Sequence, residues 1–139
     1  MEQKQEKPTN IFIGVDGGGT KTLFIAVDQN KHVIGRVTKG STNPNNIGKE
    51  LSQQTICQGI DEIIAEATKF LSQQDSASAN HTVHVKTIVL GMAGVDRPDD
   101  VVMMKSWVQK VLPHAEVLVH NDAVTALASG TEGKLLGIG

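Results

Sequence analysis

Residues 11–28 read IFIGVDGGGTKTLFIAVD, two apolar runs split by Asp16-Gly17-Gly18-Gly19-Thr20-Lys21. The runs 11–16 and 21–28 are rich in Ile, Val and Phe and read as strands. A glycine-rich turn between two strands makes a hairpin. Consecutive glycines lack Cβ atoms and permit positive φ, so backbone N–H groups can approach a phosphate closely. Thr20 adds a hydroxyl donor and Lys21 a cation. Asp16, at the strand end, is placed to hold Mg²⁺ through water. The turn is not a Walker A loop, since GxxxxGK[ST] is absent. It is not a dinucleotide fingerprint either, because a strand rather than a helix follows. A tight hairpin needs one or two glycines. Three, followed by Thr-Lys, point to phosphate binding by Gly17, Gly18, Gly19, Thr20 and Lys21.

Outward from the hairpin, Asp28 to Lys31 is a turn signal. Residues 32–40 (HVIGRVTKG) predict a third strand, with Val33, Gly35 and Val37 alternating against Ile34, Arg36 and Thr38. Residues 41–48 (STNPNNIG) read as a loop on composition. From Lys49 to Leu71 the period changes. Ile56, Ile60, Ile63, Ile64, Ala67 and Leu71 form the apolar stripe of a helix. Residues 72–82 are a polar connection. Residues 85–94 (VKTIVLGMAG) are a near-continuous apolar strand, as in a parallel sheet covered on both faces. Pro98, Asp99 and Asp100 open a helix that Pro113 ends. Residues 116–122 (EVLVHND) predict another strand. A helix begins at Ala123, is closed by Ser129-Gly130, and precedes a strand at 135–139. The order predicts an α/β fold: a mixed five-stranded sheet, a three-strand meander followed by parallel strands, flanked by helices. Ligands of such sheets gather at the carboxyl ends of strands. Three notable loops lie there: DGGGTK, GMAGVDRP and HNDA.

Composition narrows the function classes. The chain has 139 residues, enough for one domain, with residues 1–10 a polar leader expected to be disordered. Thirteen basic and 15 acidic residues give a net charge of −2, which offers no electrostatic case for nucleic acid or an anionic membrane. Three Phe, one Trp and no Tyr leave no stacking platform for single strands. No run approaches a membrane span, and the N-terminus lacks the apolar core of a signal peptide, so the expected location is cytoplasmic. Cys57 is the single cysteine, which excludes an intrachain disulfide; on the long helix it reads as packed or inert. Met92, Met103 and Met104 read as core filler. His120 reads as a strand residue, since His120 and Asp122 alone do not make a zinc site.

FIGVDGGGTKTLFIAVD resembles the first phosphate motif of the actin-like sugar kinases. STNPNNIG, GMAGVDRP and HNDAVTALASGT then resemble, in order and spacing, the N-acetylglucosamine kinase branch of the BadF/BadG/BcrA/BcrD ATPase family. The resemblance covers residues 11–138 and implies an RNase H-like lobe that uses ATP and Mg²⁺ to phosphorylate an amino sugar. Asp122, taken alone, reads as the cap of the helix at Ala123. The resemblance implies instead that it contacts the sugar and is the catalytic base, leaving Asn121 to cap. Asn43 is turn chemistry by composition and a sugar contact by resemblance, where an amide both donates and accepts. Asn45 and Asn46 stay loop residues. Gly91, Ala93 and Gly94 are small enough for a ligand to pass close. Gly94 and Asp96 are substrate-binding candidates, with an Asp96–Arg97 surface pair as the other reading.

The resemblance also implies a second lobe and a second phosphate loop beyond Gly139. Residues 11–139 are therefore expected to be the N-terminal lobe of a two-lobe kinase, inactive alone, and prone to form a homodimer through an apolar face left for its partner lobe. Two other readings stand beside it. One is the ATPase activator of a radical dehydratase or reductase, which needs cysteine ligands for an iron–sulfur cluster. The other is a non-enzymatic sugar sensor, which needs a DNA-binding domain ahead of the lobe.

Overall fold

The computed structural model describes residues 8–74 and 82–120. Among them the chain runs β1 (Thr9–Gly17), β2 (Lys21–Asp28), β3 (Val33–Gly40), α1 (Pro44–Ile47), α2 (Lys49–Gln74), β4 (Val83–Met92), α3 (Pro98–Val111) and β5 (Glu116–His120). The sheet order is β3-β2-β1-β4-β5. β1 pairs antiparallel with β2, and β2 with β3; β4 is parallel to both β1 and β5. The expected meander and parallel strands are both present. The helix predicted at 123–128 and the strand at 135–139 lie outside the described residues.

Strand alternation sorts the sheet into two faces. Ile13, Val15, Phe24, Ala26, Ile88, Leu90 and Val117 share one cluster with Ile56, Ile60 and Ile63 of α2 and Met104, Trp107 and Val108 of α3. Both long helices therefore cover the same face. The other face carries Val27 and Val89 with Phe12, Ile25 and Leu118.

Local packing adds to and in places departs from the sequence reading. β1 begins at Thr9 rather than Ile11. Thr9 and Asn10 are polar but pair with Val83 and His84 of β4, and the Thr9 N–H donates to the Thr82 carbonyl at 3.0 Å. Thr9 and Asn10 therefore belong to the sheet and not to the expected leader. In β3 the predicted alternation breaks, because Ala26 opposes Gly35 while Val27 opposes Val33. Ile34 is the extra residue of a bulge, buried at 2% exposure beside Val33 at 41%. The 41–48 loop contains the turn of helix α1. Finally, Gly59 is one of the buried residues of α2. A Cβ there would sit 2.1 Å from the Phe24 ring, so its absence lets α2 close onto β2.

Pro98 occupies the first turn of α3 as predicted, and the Asp100 carboxylate accepts from the Arg97 N–H at 3.3 Å. That satisfies one donor at the helix start.

Candidate functional site

The hairpin closes through the Gly18 N–H, which donates to the Lys21 carbonyl at 2.9 Å; Gly19 and Thr20 form its tip. None of Gly17, Gly18 and Gly19 has a positive φ, so the expected left-handed backbone is not what these glycines supply. They supply space. A Cβ on Gly19 would meet nothing within 4 Å, and one on Gly18 only the Lys21 carbonyl at 3.4 Å, so the tip backbone is open to an incoming group. Gly17 is different. A Cβ there would meet the Met92 side chain at 2.8 Å and Thr42 Oγ1 at 3.1 Å. Met92, read as core filler, thus packs against the first glycine of the turn.

Thr20 and Lys21 are exposed at and beside the tip. Asp16 is exposed one residue before the end of β1. By alternation it stands on the face of Phe12, away from α2 and α3, while Gly17 faces the helix side. Its row in the sheet is Leu23, Asp16, Gly91 and His120. The hairpin, the end of β4 and the end of β5 therefore leave the sheet at one level. Asp122 itself lies outside the described residues.

Asn43 precedes α1 and caps it, its Oδ1 accepting from the Asn45 N–H at 2.9 Å. The turn-chemistry reading of Asn43 is thus correct for the oxygen. The amide nitrogen is a second group on the same side chain and has no hydrogen-bond partner among the described residues. Gly94 has φ +86, and a Cβ on it would fall 2.1 Å from Asn43 Oδ1. The 41–48 and 93–97 loops are therefore in contact through a glycine. The Ala93 N–H donates to the Gly17 carbonyl at 2.8 Å, tying the second loop to the hairpin. Asn46 Nδ2 donates to the Gly19 carbonyl at 3.2 Å, tying α1 to its tip. Sequence reasoning left Asn46 as a loop residue. Nothing in its spacing signals a partner 27 positions away.

Beside Gly94, Asp96 and Arg97 line a polar recess of about 300 Å³ with Asn45 and Asp100. Neither forms an ion pair among the described residues, so the surface-pair reading of Asp96 and Arg97 does not hold. Gly17–Lys21, Asn43, Gly94 and Asp96 are thus gathered at one edge of the sheet. Among the described residues no cluster of three or more His, Cys, Asp or Glu can hold a metal. Asp16 as a single carboxylate suits a hydrated Mg²⁺ and not a dehydrated cage. The open hairpin with Thr20 and Lys21 fits phosphate oxygens. Cys57 is part-buried, and burial followed by the Asp61 charge raises its thiol pKa from 9.0.

A ROK-family glucokinase from Streptomyces griseus, solved with glucose and AMPPNP, superposes on this chain with a TM-score of 0.55 at 20% identity, covering 90% of this chain and 36% of the glucokinase. The fold is the RNase H-like lobe of the actin-like ATPases. Residues 13–138 match the model of the BadF/BadG/BcrA/BcrD ATPase family, and the chain belongs to that family. It is 43% identical over 129 residues to the N-acetyl-D-glucosamine kinase of Dictyostelium discoideum, covering 92% of this chain and 39% of that one. It is 32% identical over 121 residues to the N-acetylmuramic acid/N-acetylglucosamine kinase of Clostridium acetobutylicum, covering 86% and 36%. The chain thus spans well under half the length of these curated relatives.

Proposed function

We propose that this chain is the phosphate- and sugar-binding lobe of an ATP-dependent amino-sugar kinase of the cytoplasm, acting on N-acetylglucosamine to give its 6-phosphate. The observation that carries the reading is the meeting of three loops. The 41–48 loop with Asn43, the 93–97 loop with Gly94 and Asp96, and the Gly17–Lys21 hairpin are joined by hydrogen bonds and close contacts. Family membership and the two kinase relatives support the same activity.

In this reading Thr20 and Lys21 hold phosphate oxygens, and Asp16 holds hydrated Mg²⁺. Asn43 donates its amide to the sugar, with Gly94 and Asp96 lining the same end. Asp122 orients the 6-hydroxyl and takes its proton as the oxygen bonds to the γ-phosphorus and ADP leaves. Mg-ATP supplies the transferable phosphoryl group, and catalysis is positioning plus charge neutralisation.

The test is made on the complete protein, assaying phosphoryl transfer to N-acetylglucosamine, glucose, glycerol and acetate. Turnover of the amino sugar to a 6-phosphate is expected. Turnover of glycerol or acetate in its place overturns the substrate class. Asp122→Asn should lower kcat by roughly 10²–10⁴-fold with ATP affinity nearly intact. Wild-type kcat in that variant, with only an earlier melt in Asp122→Ala, would make Asp122 a helix cap.

A further inference from the structure

Three hydroxyl side chains are buried together behind the hairpin. Thr22 and Ser52 are fully buried and Thr42 is 1% exposed. Thr22 Oγ1 and Thr42 Oγ1 lie 2.9 Å apart, and Ser52 Oγ donates to the Thr42 carbonyl at 2.7 Å. The three come from three parts of the chain: β2, the segment before α1, and α2. Thr42 Oγ1 also lies 3.1 Å from where a Cβ on Gly17 would stand, so its hydroxyl fills space that the first glycine of the turn leaves open. Thr22 directly follows Lys21, and Thr42 directly precedes Asn43.

Filling this space does not require hydroxyls. Valine has nearly the shape of threonine, and replacing both partners of a buried hydrogen bond by apolar groups of the same shape is close to neutral for stability. A paired hydroxyl adds direction, because an O···O hydrogen bond has a preferred length and angle while an apolar contact slides. A slide here would move Asn43 relative to Lys21.

We propose that Thr42 is a positioning residue: through Thr22 and Ser52 it sets the distance between the sugar-binding Asn43 and the phosphate-binding hairpin. The proposal rests on the kinase reading above. It predicts an effect on the chemical step, since a misplacement of about 1 Å between reacting groups can cost up to about 10²-fold in rate.

The experiment compares Thr42→Val, Thr22→Val, the double variant and Thr42→Ser in the complete protein. Thr42→Val should lower kcat roughly ten- to hundredfold, with each KM changed by no more than about threefold. Thr22→Val should do the same, and the double variant should be no worse than either single one, because all three lose one bond. Thr42→Ser keeps the hydroxyl and should restore kcat. Hydrogen exchange supplies an arm independent of turnover: Thr42→Val should speed exchange in both 17–22 and 41–48, and leave α3 unchanged. A Thr42→Val protein that melts earlier but keeps wild-type kcat overturns the proposal, as does faster exchange in 41–48 alone. If the wild type phosphorylates no sugar, the kinase reading fails by itself, and unchanged exchange in 17–22 then overturns the coupling separately.

Discussion

Asn43 caps α1 and, in the proposed reading, also contacts the sugar. Its oxygen already accepts from the Asn45 N–H, so that reading gives the amide nitrogen to the sugar. Asn43→Asp keeps the capping oxygen and places a negative charge at a helix start, where it is tolerated. It removes the donor. The expected outcome is an unchanged melting temperature with a KM for N-acetylglucosamine raised roughly tenfold, read by parallel melting and rate measurements. Equal KM in both proteins would remove Asn43 from the sugar site. Gly94 is bound to the same question from the other side. Its φ of +86 costs a residue with a Cβ about 1–2 kcal/mol, and that Cβ would also displace Asn43 Oδ1. Gly94→Ala should therefore lose stability and raise the sugar KM together, whereas Asn43→Asp separates the two effects. The sequence carried the identity of Asn43 and Gly94 as candidates. It carried nothing of their contact, because they stand 51 positions apart and no periodicity links a cap to a glycine after a distant strand. The Thr22–Thr42–Ser52 cluster was illegible for the same reason: each is an unremarkable polar residue until the fold closes.

At the scale of elements, the apolar periods of β1, β2, β4 and α2 placed these segments well, since burial on one face dictates spacing. What periodicity could not show is an exception that packing creates. The bulge at Ile34 moves the alternation of β3 by one position, and no residue type marks it. Gly59 looks like a weakness in α2, yet the Phe24 ring occupies the space its side chain would need. Gly59→Ala tests which effect wins. Helix propensity favours alanine by up to about 1 kcal/mol. Overpacking against a fully buried ring costs about 1–3 kcal/mol, so net destabilisation is expected from denaturant unfolding. Pairing it with Phe24→Leu should recover part of the loss, because the two changes share one space. Two positions before Gly59 on α2, Cys57 gives a pH-dependent readout. Its pKa is raised from 9.0 by burial and by Asp61, so the thiolate is scarce at neutral pH. Alkylation should be slow at pH 7, climb with each pH unit, and still be rising above pH 9, where an unshifted thiol levels off. Rapid labelling at pH 7 would show that the thiol is not held in its protonated form.

For the whole molecule, the sheet order turns separate motifs into one site. β1 is central, with β2 on one side and β4 on the other, so the hairpin after β1 and the loop after β4 emerge side by side. The order of motifs in the sequence suggested such an edge; the ties between Ala93 and Gly17 and between Asn46 and Gly19 give it a physical form. Both β2 and the segment before α1 are anchored in the buried core, while Thr20 and Lys21 are exposed. In the proposed reading the phosphate contacts are thus exposed groups on a buried base. Exposed charges contribute little individually, about 0–1 kcal/mol for a surface pair. The phosphate hairpin alone should therefore hold nucleotide weakly, and tight binding needs contacts to the nucleoside from elsewhere. Calorimetry with Mg-ATP should give the 139-residue chain a Kd near or above about 1 mM, equivalent to about −4 kcal/mol. The complete protein should bind at least about tenfold tighter, a difference of about 1.4 kcal/mol or more. In the complete protein, Thr20→Ala with Lys21→Ala removes a hydroxyl and a cation that pack against nothing essential, so Mg-ATP affinity should fall while melting stays the same. Unchanged affinity would take the hairpin out of the nucleotide site. Micromolar binding by the chain alone would show that the residues of this lobe already hold the whole nucleotide, and the two-lobe account of ATP recognition would have to be abandoned.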